Sequence, residues 1–245
     1  MNALLRILAW MFALALVTLP VAGVLNGWIG AERWPMRRLL LTAEFDQVGE
    51  AQVRAVVAPH VGNGFFAVDL EQLRTELSAL PWVRRVEVRK RWPDRLEVMI
   101  AEHRPLARWG EQRMLSENGD LFAAPKVVAA ALPRFDGPDA RRTELMAFYS
   151  QARPLFLGEG LQVRALALSA RGSWTLRLSD GTRVDVGRGD PQRRLERFAR
   201  LLPRLRAGDT RRLVRADLRY TNGFALTWQG APAPRRIPIA IQGKA

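Results

Sequence analysis

The 245-residue sequence predicts an α+β protein with a single transmembrane helix, a small strand–helix–helix–strand–strand domain, and a larger, mostly antiparallel β domain with two helices. Three observations predict this fold class. An uncharged apolar run lies near the amino terminus, helical and strand periodicities alternate over residues 36–104, and Asn-Gly or Asp-Gly pairs separate alternating strands after that.

The apolar run covers residues 7–29, which contain no ionisable side chain. At about 1.5 Å per residue it is long enough to cross a hydrocarbon core of about 30 Å. It exceeds the apolar core of about 7–15 residues found in signal peptides, so we predict an uncleaved anchor preceded by a short tail, residues 1–6. A cleaved signal peptide, with small residues at 21–23, is the alternative. The flanking charges leave the orientation undecided, because long domains are translocated largely regardless of charge.

The small domain is predicted over residues 36–104. Asp69 is a favourable N-cap for its second helix, and Gln72 follows three residues later, as in a capping box. Apolar and polar residues alternate in the two strands that follow. The predicted elements are a strand within 36–45, a helix over 50–60, a helix from Asp69 that Pro81 stops, a strand containing Val86 and Val88, and a strand containing Leu96, Val98 and Ile100.

The larger domain is predicted over residues 105–230. Its hairpins are indicated by three dipeptides that supply the positive φ angles of a tight turn, namely Asn118-Gly119, Asp180-Gly181 and Asn222-Gly223. One helix is predicted over about 141–153, and a second begins at Asp190 and Pro191. The remaining residues, 231–245, are proline-rich and are expected to form a flexible tail.

The residue types argue against most catalytic chemistry. The chain has no cysteine, which excludes disulfides, thiolate metal sites and cysteine nucleophiles. The two histidines, His60 and His103, lie far apart and are interpreted as surface or cap residues. Residues 187–190, Gly-Arg-Gly-Asp, lack the spacing of a phosphate-binding loop and are interpreted as a turn with an N-cap. No catalytic residue, metal site or cofactor is predicted.

The net charge is +14, from 38 basic and 24 acidic residues, and all but three of the basic residues are arginine. A basic surface fits nucleic acid, anionic lipid or an acidic protein, but the arginines are scattered, and drift in composition explains them as well. Neither helix pair resembles a helix-turn-helix, so no nucleic-acid partner is predicted.

The last hairpin is the best candidate for a protein-binding surface. Aromatic residues and arginine dominate the binding energy of protein interfaces. Here they are Tyr220, Phe224 and Trp228, with Arg215, Asp217 and Arg219 on one face of the preceding strand. If this hairpin is the sheet edge, a partner could add a strand to it. The alternative is that the rings belong to the core.

Six segments resemble the FtsQ/DivIB family of bacterial cell-division proteins. They are LPWVRRVEVRKRWPDRLEV (80–98), RPLARW (104–109), ENGDLF (117–122), ARGSWTLRL (170–178), GRGDPQRRLERF (187–198) and DLRYTNGFALTW (217–228). The resemblance implies a single-span protein of the inner membrane at the division septum, with a cytoplasmic amino terminus and its bulk in the periplasm. It also implies that the small domain is a POTRA domain and the larger one the family's β domain.

The same resemblance implies a non-enzymatic scaffold of the divisome that links early and late division proteins. Such a scaffold binds the coiled-coil proteins FtsB and FtsL, takes no small-molecule substrate, and helps to control septal peptidoglycan synthesis. Matched by motif, the residues implied to bind FtsB at the edge of the β domain are Arg171, Arg219, Tyr220, Asn222, Gly223, Phe224 and Trp228. The strand implied to recruit the protein to the division site holds Val86, Val88 and Lys90.

The sequence departs from the family pattern in two places. The tail before the anchor is shorter than in many members, and Thr221-Asn222 stands where members often have an acid and a serine. The main alternative function is a POTRA-containing component of envelope transport or secretion, which predicts lipid-facing strands of about ten residues. A periplasmic cell-wall enzyme predicts a deep pocket of convergent polar residues, and a cytoplasmic basic regulator is the remaining alternative.

Overall fold

The computed structural model describes residues 2–25, 35–62, 64–123, 132–208, 211–220 and 223–230. Asn222, the predicted tail over 231–245 and the end of the predicted anchor, residues 26–29, lie outside these ranges. The chain divides into two compact units, the first comprising Met1–Arg104 with Phe122–Ala124 and the second Pro105–Leu121 with Pro125–Ala245.

The first helix, α1, spans Asn2–Leu25 and begins earlier than the predicted anchor. Its stretch Leu5–Gly23 is long and apolar enough to cross a membrane. Large apolar side chains are exposed along the helix, including Trp10, which is 77% exposed. Apolar side chains exposed in this way fit a lipid environment, where a helix satisfies its own backbone hydrogen bonds.

The rest of the first unit has the predicted order of elements. They are β1 (Arg38–Thr42), α2 (Glu50–Val61), α3 (Leu70–Ser78), β2 (Val83–Arg91) and β3 (Arg95–Glu102). The sheet order is β1-β3-β2, with β1 parallel and β2 antiparallel to β3. The β2–β3 hairpin supplies the antiparallel pair, and the two helices form the crossover that a parallel pair needs.

The core of this unit lies between the helices and one face of the sheet. Its buried residues are Val48, Val53, Val57, Leu73, Leu77, Trp82, Val83, Val86, Leu96, Val98 and Ile100. Asp69 caps α3 as predicted, because its Oδ1 accepts from the amides of Glu71 and Gln72 at 2.9 and 3.0 Å. The reciprocal half of the capping box is absent, since the Gln72 side chain donates to Glu76 instead, at 3.0 Å.

The large sheet and its helices comprise nine strands and two α-helices among the described residues, and all of them lie in the second unit except Phe122 and Ala123, which belong to the first. These elements are β4 (Pro105–Trp109), β5 (Arg113–Ser116), β6 (Leu121–Ala123), β7 (Arg134–Asp136), α4 (Arg142–Leu157), β8 (Val163–Leu168), β9 (Trp174–Leu178), β10 (Arg183–Gly187), α5 (Pro191–Gly208), β11 (Leu213–Asp217) and β12 (Ala225–Trp228), with a 3-10 turn at Asp139–Arg141. The strands form one sheet in the order β12-β11-β10-β9-β8-β7-β4-β5-β6.

Hairpins and crossovers alternate in this sheet. Two predicted turns are present, with Gly119 and Gly181 both at φ +88°, a conformation that only glycine adopts without strain. Three pairs are parallel, β4–β7, β7–β8 and β10–β11. Helix α4 connects β7 to β8 and α5 connects β10 to β11, and both helices pack on the same apolar face of the sheet. The opposite face, which carries the polar residues of the central strands, is called the open face below.

Candidate functional site

Strand β12 is one edge of the large sheet. Within the described residues it pairs with β11 alone, in antiparallel orientation. The amide of Gln229, just after β12, donates to the carbonyl of Arg212 at 2.8 Å, so it points towards β11. Because main-chain groups alternate in direction along a strand, those of Ala225 and Thr227 also point to β11, and those of Leu226 and Trp228 point outwards. These outward groups are the hydrogen-bonding template of an edge strand.

The side chains of β12 attach the edge to the core. Leu226 and Trp228 are half-buried against the large core cluster, as is Phe224 just before the strand. The Phe224 ring meets that of Phe198 on α5 edge to face, with centroids 5.7 Å apart, and the guanidinium of Arg197 lies 5.0 Å from its centroid. Rings that pack in this way hold the edge strand in place.

Tyr220 differs from the other two aromatic residues of the hairpin. It follows β11, and it is 57% exposed. The alternative that these rings belong to the core is therefore partly correct for Phe224 and Trp228. Tyr220 instead lies at the surface, where a partner could cover it.

The predicted alternation of β11 fails at Val214. Leu213 pairs with Trp228 and Arg215 with Thr227, so Val214 is the extra residue of a β-bulge. The bulge turns Val214 outwards, 42% exposed, whereas Ala216 and Leu218 are buried. No residue in this segment signals a bulge, so local patterns could not predict it.

Two nearly buried aspartates organise the open face next to the edge. Asp217 accepts from Arg219 Nε at 2.8 Å and Nη2 at 2.6 Å, and Asp185 on β10 accepts from Arg215 Nε at 2.6 Å. Hydrogen bonds from Arg219 hold the pKa of Asp217 below its usual value. Burial raises the pKa of Asp185, but ion pairs with Arg183 and Arg215 outweigh it, and the net shift is downwards. Asp185 and Arg183 were not singled out from the sequence, although their alternation within a predicted strand was the available signal.

Arg219 is fixed in position by more than its carboxylate. Its side chain crosses Gly187, where a Cβ would lie 2.8 Å from Arg219 Cγ and where φ is +83°. A glycine is therefore required on β10 for Arg219 to reach Asp217. The bidentate pair and this close approach present Tyr220 at the end of β11.

Among the described residues, the implied binding residues gather at one end of the sheet, with one exception. Arg171 lies in the turn between β8 and β9, and the register places that turn at the same end as Arg219, Tyr220 and Phe224. Arg171 is exposed. Trp228 lies at the opposite end of β12, and Gly223 lies just before the strand.

The residues implied to form the recruitment strand lie on β2, an edge of the small sheet. Val86 is buried and Val88 is half-buried against the core of the first unit. Lys90 Nζ donates to the carbonyl of Phe66 at 3.3 Å and lies 5.8 Å from the centroid of Phe65, and burial lowers its pKa. Val86, Val88 and Lys90 share the inward face of the strand, because side chains alternate along it. The outward face of β2 carries Arg85, Glu87, Arg89 and Arg91, with Glu87 in ion pairs with Arg85 and Arg89.

A cleft in the first unit brings a histidine and two carboxylates together. It is lined by Pro59, His60, Ala67, Asp69, Gln72 and Glu76. His60 Nε2 lies 2.8 Å from Glu76 Oε2, and that hydrogen bond lowers the pKa of Glu76. The lining contains no hydroxyl or thiol side chain, so this pair has no nucleophile to activate.

The Gly-Arg-Gly-Asp motif is a turn with a cap, as predicted. Gly187 and Gly189 have φ of +83° and +92°. Asp190 Oδ1 accepts from the amide of Arg193 in the first turn of α5 at 3.3 Å. A carboxylate at this position occupies the place that an anion would take at a helix N-terminus.

Comparison with known proteins matches both units. The family model "Cell division protein FtsQ/DivIB, C-terminal" matches residues 107–219, and "POTRA domain, FtsQ-type" matches residues 37–103. Cell division protein FtsQ of Xanthomonas campestris is 53% identical over 227 residues, which cover 92% of this chain and 81% of the relative. Cell division protein FtsQ of Escherichia coli is 33% identical over 239 residues, covering 94% and 86%, and that of Coxiella burnetii is 33% identical over 196 residues, covering 80% and 81%.

Proposed function

The chain belongs to the FtsQ/DivIB family of cell division proteins, and from this premise we propose that it is a non-enzymatic scaffold of the divisome that binds FtsB and FtsL. The scaffold links early and late division proteins and controls septal peptidoglycan synthesis through that complex. Its amino terminus lies in the cytoplasm, and both folded units lie in the periplasm at the septum. Helix α1 is the membrane span in this proposal, and it is the one candidate among the described residues.

The observation that carries this proposal is the geometry of β12. Its outward main-chain groups, at Leu226 and Trp228, can pair with an added strand, and FtsB is the proposed donor of that strand. Main-chain pairing supplies affinity with little sequence dependence, so the neighbouring side chains must supply specificity. Phe224 and Trp228 contribute by holding the edge to the core.

The specificity determinants in this proposal are the exposed groups beside the edge. Tyr220 offers a large ring that loses exposed apolar area when a partner covers it. Arg219 donates from Nε and Nη2 to Asp217, and its remaining N–H groups can donate to an acidic side chain of FtsB. Arg171, at the same end of the sheet, meets a second acidic side chain. Gly223 belongs to the proposed site, and Asn222 does too, although it lies outside the described residues.

The proposed recruitment surface is the free edge of β2. Because Val86 is buried and Val88 half-buried, their contribution is to hold the strand against the core, and the partner meets the main chain and the half-buried Lys90 at the edge. An added strand again fits this geometry, at an edge with regular pairing to β3 from Arg85 to Arg91.

The test is co-purification of the FtsB–FtsL pair with the full-length chain in detergent. Tyr220→Ala removes the exposed ring at the proposed site, and Trp92→Ala removes a ring that is 72% exposed in the first unit. We expect Tyr220→Ala to abolish capture and Trp92→Ala to retain it, with both variants showing the thermal unfolding of the unchanged protein. Capture by Tyr220→Ala at the unchanged level would overturn the assignment of the site.

A further inference from the structure

An arginine row crosses the open face of the large sheet. Arg177 on β9 is in register with Arg183 on β10, and Arg183 is in register with Arg215 on β11. The three side chains therefore stand side by side on neighbouring strands, about 4.8 Å apart. These three residues are called the arginine row below. On its far side Arg177 pairs in register with Ala165 on β8, which leaves a small residue next to the row.

The arginines of the row are exposed to solvent, whereas the aspartate that pairs with two of them is buried beneath. The side chains of Arg183 and Arg215 are 53% and 46% exposed, whereas that of Asp185, which pairs with both, is 9% exposed. Arg177 is exposed, and among the described residues no carboxylate lies within ion-pair distance of it. Along the row, the groups that meet solvent are consequently guanidinium N–H groups.

This arrangement costs stability in the isolated chain. Like charges directly opposite each other on neighbouring strands repel, and Asp185 offsets the repulsion for only two of the three arginines. An anion bound from outside would neutralise the remaining repulsion between the arginines. Each guanidinium has a planar fork of donors that matches a carboxylate bidentately, and only part of each fork is used within the protein.

The spacing of the row selects the shape of the anion. An α-helix laid across the strands presents side chains on one face once per turn, about every 5.4 Å. If the first turn is aligned with the first arginine, the third turn is displaced from the third arginine by about 1.2 Å. On an extended strand, side chains of one face lie about 6.7 Å apart, so the third of them would be displaced from the third arginine by about 4 Å. Arginine side chains can absorb the first mismatch but not the second. Ala165, Ala167 and Thr175 beside the row leave room for a helix to approach.

We propose that the arginine row is a docking surface for an acidic α-helix of a protein partner, which lies across β9, β10 and β11 with carboxylates on successive turns facing Arg177, Arg183 and Arg215. The surface is separate from the outward edge of β12 and goes beyond the function proposed above. It gives part of the net positive charge a specific role.

The test uses the full-length chain in nanodiscs of zwitterionic lipid and a fluorescent synthetic helix with glutamates on one face, one per turn. The comparison peptides carry glutamine in place of glutamate, or the same glutamates distributed around the helix. Arg177→Glu reverses one charge of the row without removing an ion pair. Arg200→Glu makes the same charge change at an exposed position on α5, on the helix-covered side of the sheet.

We expect anisotropy to report salt-sensitive binding of the one-faced peptide, about tenfold weaker binding by Arg177→Glu, and less than about twofold weakening by Arg200→Glu. Equal binding of the distributed-glutamate peptide, or equal loss with the two variants, would overturn the proposal, because either result describes a nonspecific basic surface. Displacement of the peptide by inorganic polyphosphate or by phosphatidylglycerol vesicles at equal charge concentration would also overturn it, in favour of a general anion site.

Discussion

Replacing Leu226 with proline separates main-chain pairing at the edge strand from side-chain packing. The amide of Leu226 points away from β11, so proline there removes a donor that the folded chain does not itself use. Leu226→Ala is the matched control, since both changes remove the same half-buried side chain and only proline removes the N–H.

The size of the effect follows from one lost hydrogen bond. If a strand of FtsB pairs with β12, Leu226→Pro leaves a carbonyl of the added strand without its donor in a partly buried interface. That costs about 1–3 kcal/mol, or about 5- to 150-fold in Kd relative to Leu226→Ala. The two variants should lose similar amounts of folding stability, because the packing they lose is the same.

Titration calorimetry of the full-length variants with the FtsB–FtsL pair measures the difference, and thermal unfolding checks that both variants are folded. If Leu226→Pro binds as tightly as Leu226→Ala, then the outward amide is not used by the partner and the strand-addition argument is refuted.

Three further predictions concern the side chains beside the edge. Arg171→Glu should weaken the FtsB–FtsL complex by about 1–3 kcal/mol, with a loss that shrinks at high salt, and an effect independent of salt would count against an ion pair. Gly187→Ala should destabilise the second unit by about 1–2 kcal/mol in thermal unfolding, because it places a Cβ 2.8 Å from Arg219 Cγ at a φ of +83°, and an unchanged midpoint would contradict the close approach. Hydrogen bonds from Arg219 lower the pKa of Asp217, so its stabilising effect is present above the ordinary carboxyl pKa of about 4 and is lost as pH falls through the lowered folded-state pKa. The stability advantage over Asp217→Asn should therefore shrink as pH falls below about 4, and a constant difference would contradict this.

Local chemistry predicted much of this fold. Asp69 was identified as an N-cap because a short carboxylate side chain satisfies free amides at a helix start, and Asp180-Gly181 was identified as a hairpin turn because glycine supplies positive φ. Residue patterns alone leave two alternatives for the last hairpin, a partner-binding sheet edge or a set of core rings. The family resemblance favours the edge.

Other features depend on contacts between distant residues and could not be read from local patterns. The parallel pair of β10 and β11 is set by how α5 returns the chain to the sheet, and the register that aligns Arg183 with Arg215 follows from it. The bulge at Val214 depends on the fit of β11 to both of its neighbours. Sequence alternation therefore predicted that Arg215 and Asp217 share a face, but not that Asp185 joins them.

Hydrogen–deuterium exchange along β12 tests the strand-addition claim most directly. Addition of the FtsB–FtsL pair to the full-length chain should slow exchange at the amides of Leu226 and Trp228, which point outwards. The amides of Ala225 and Thr227 should change little, because they already face β11. Saturating binding with unchanged exchange at Leu226 and Trp228 would contradict the account, because the partner would then be bound somewhere other than the free edge of the sheet.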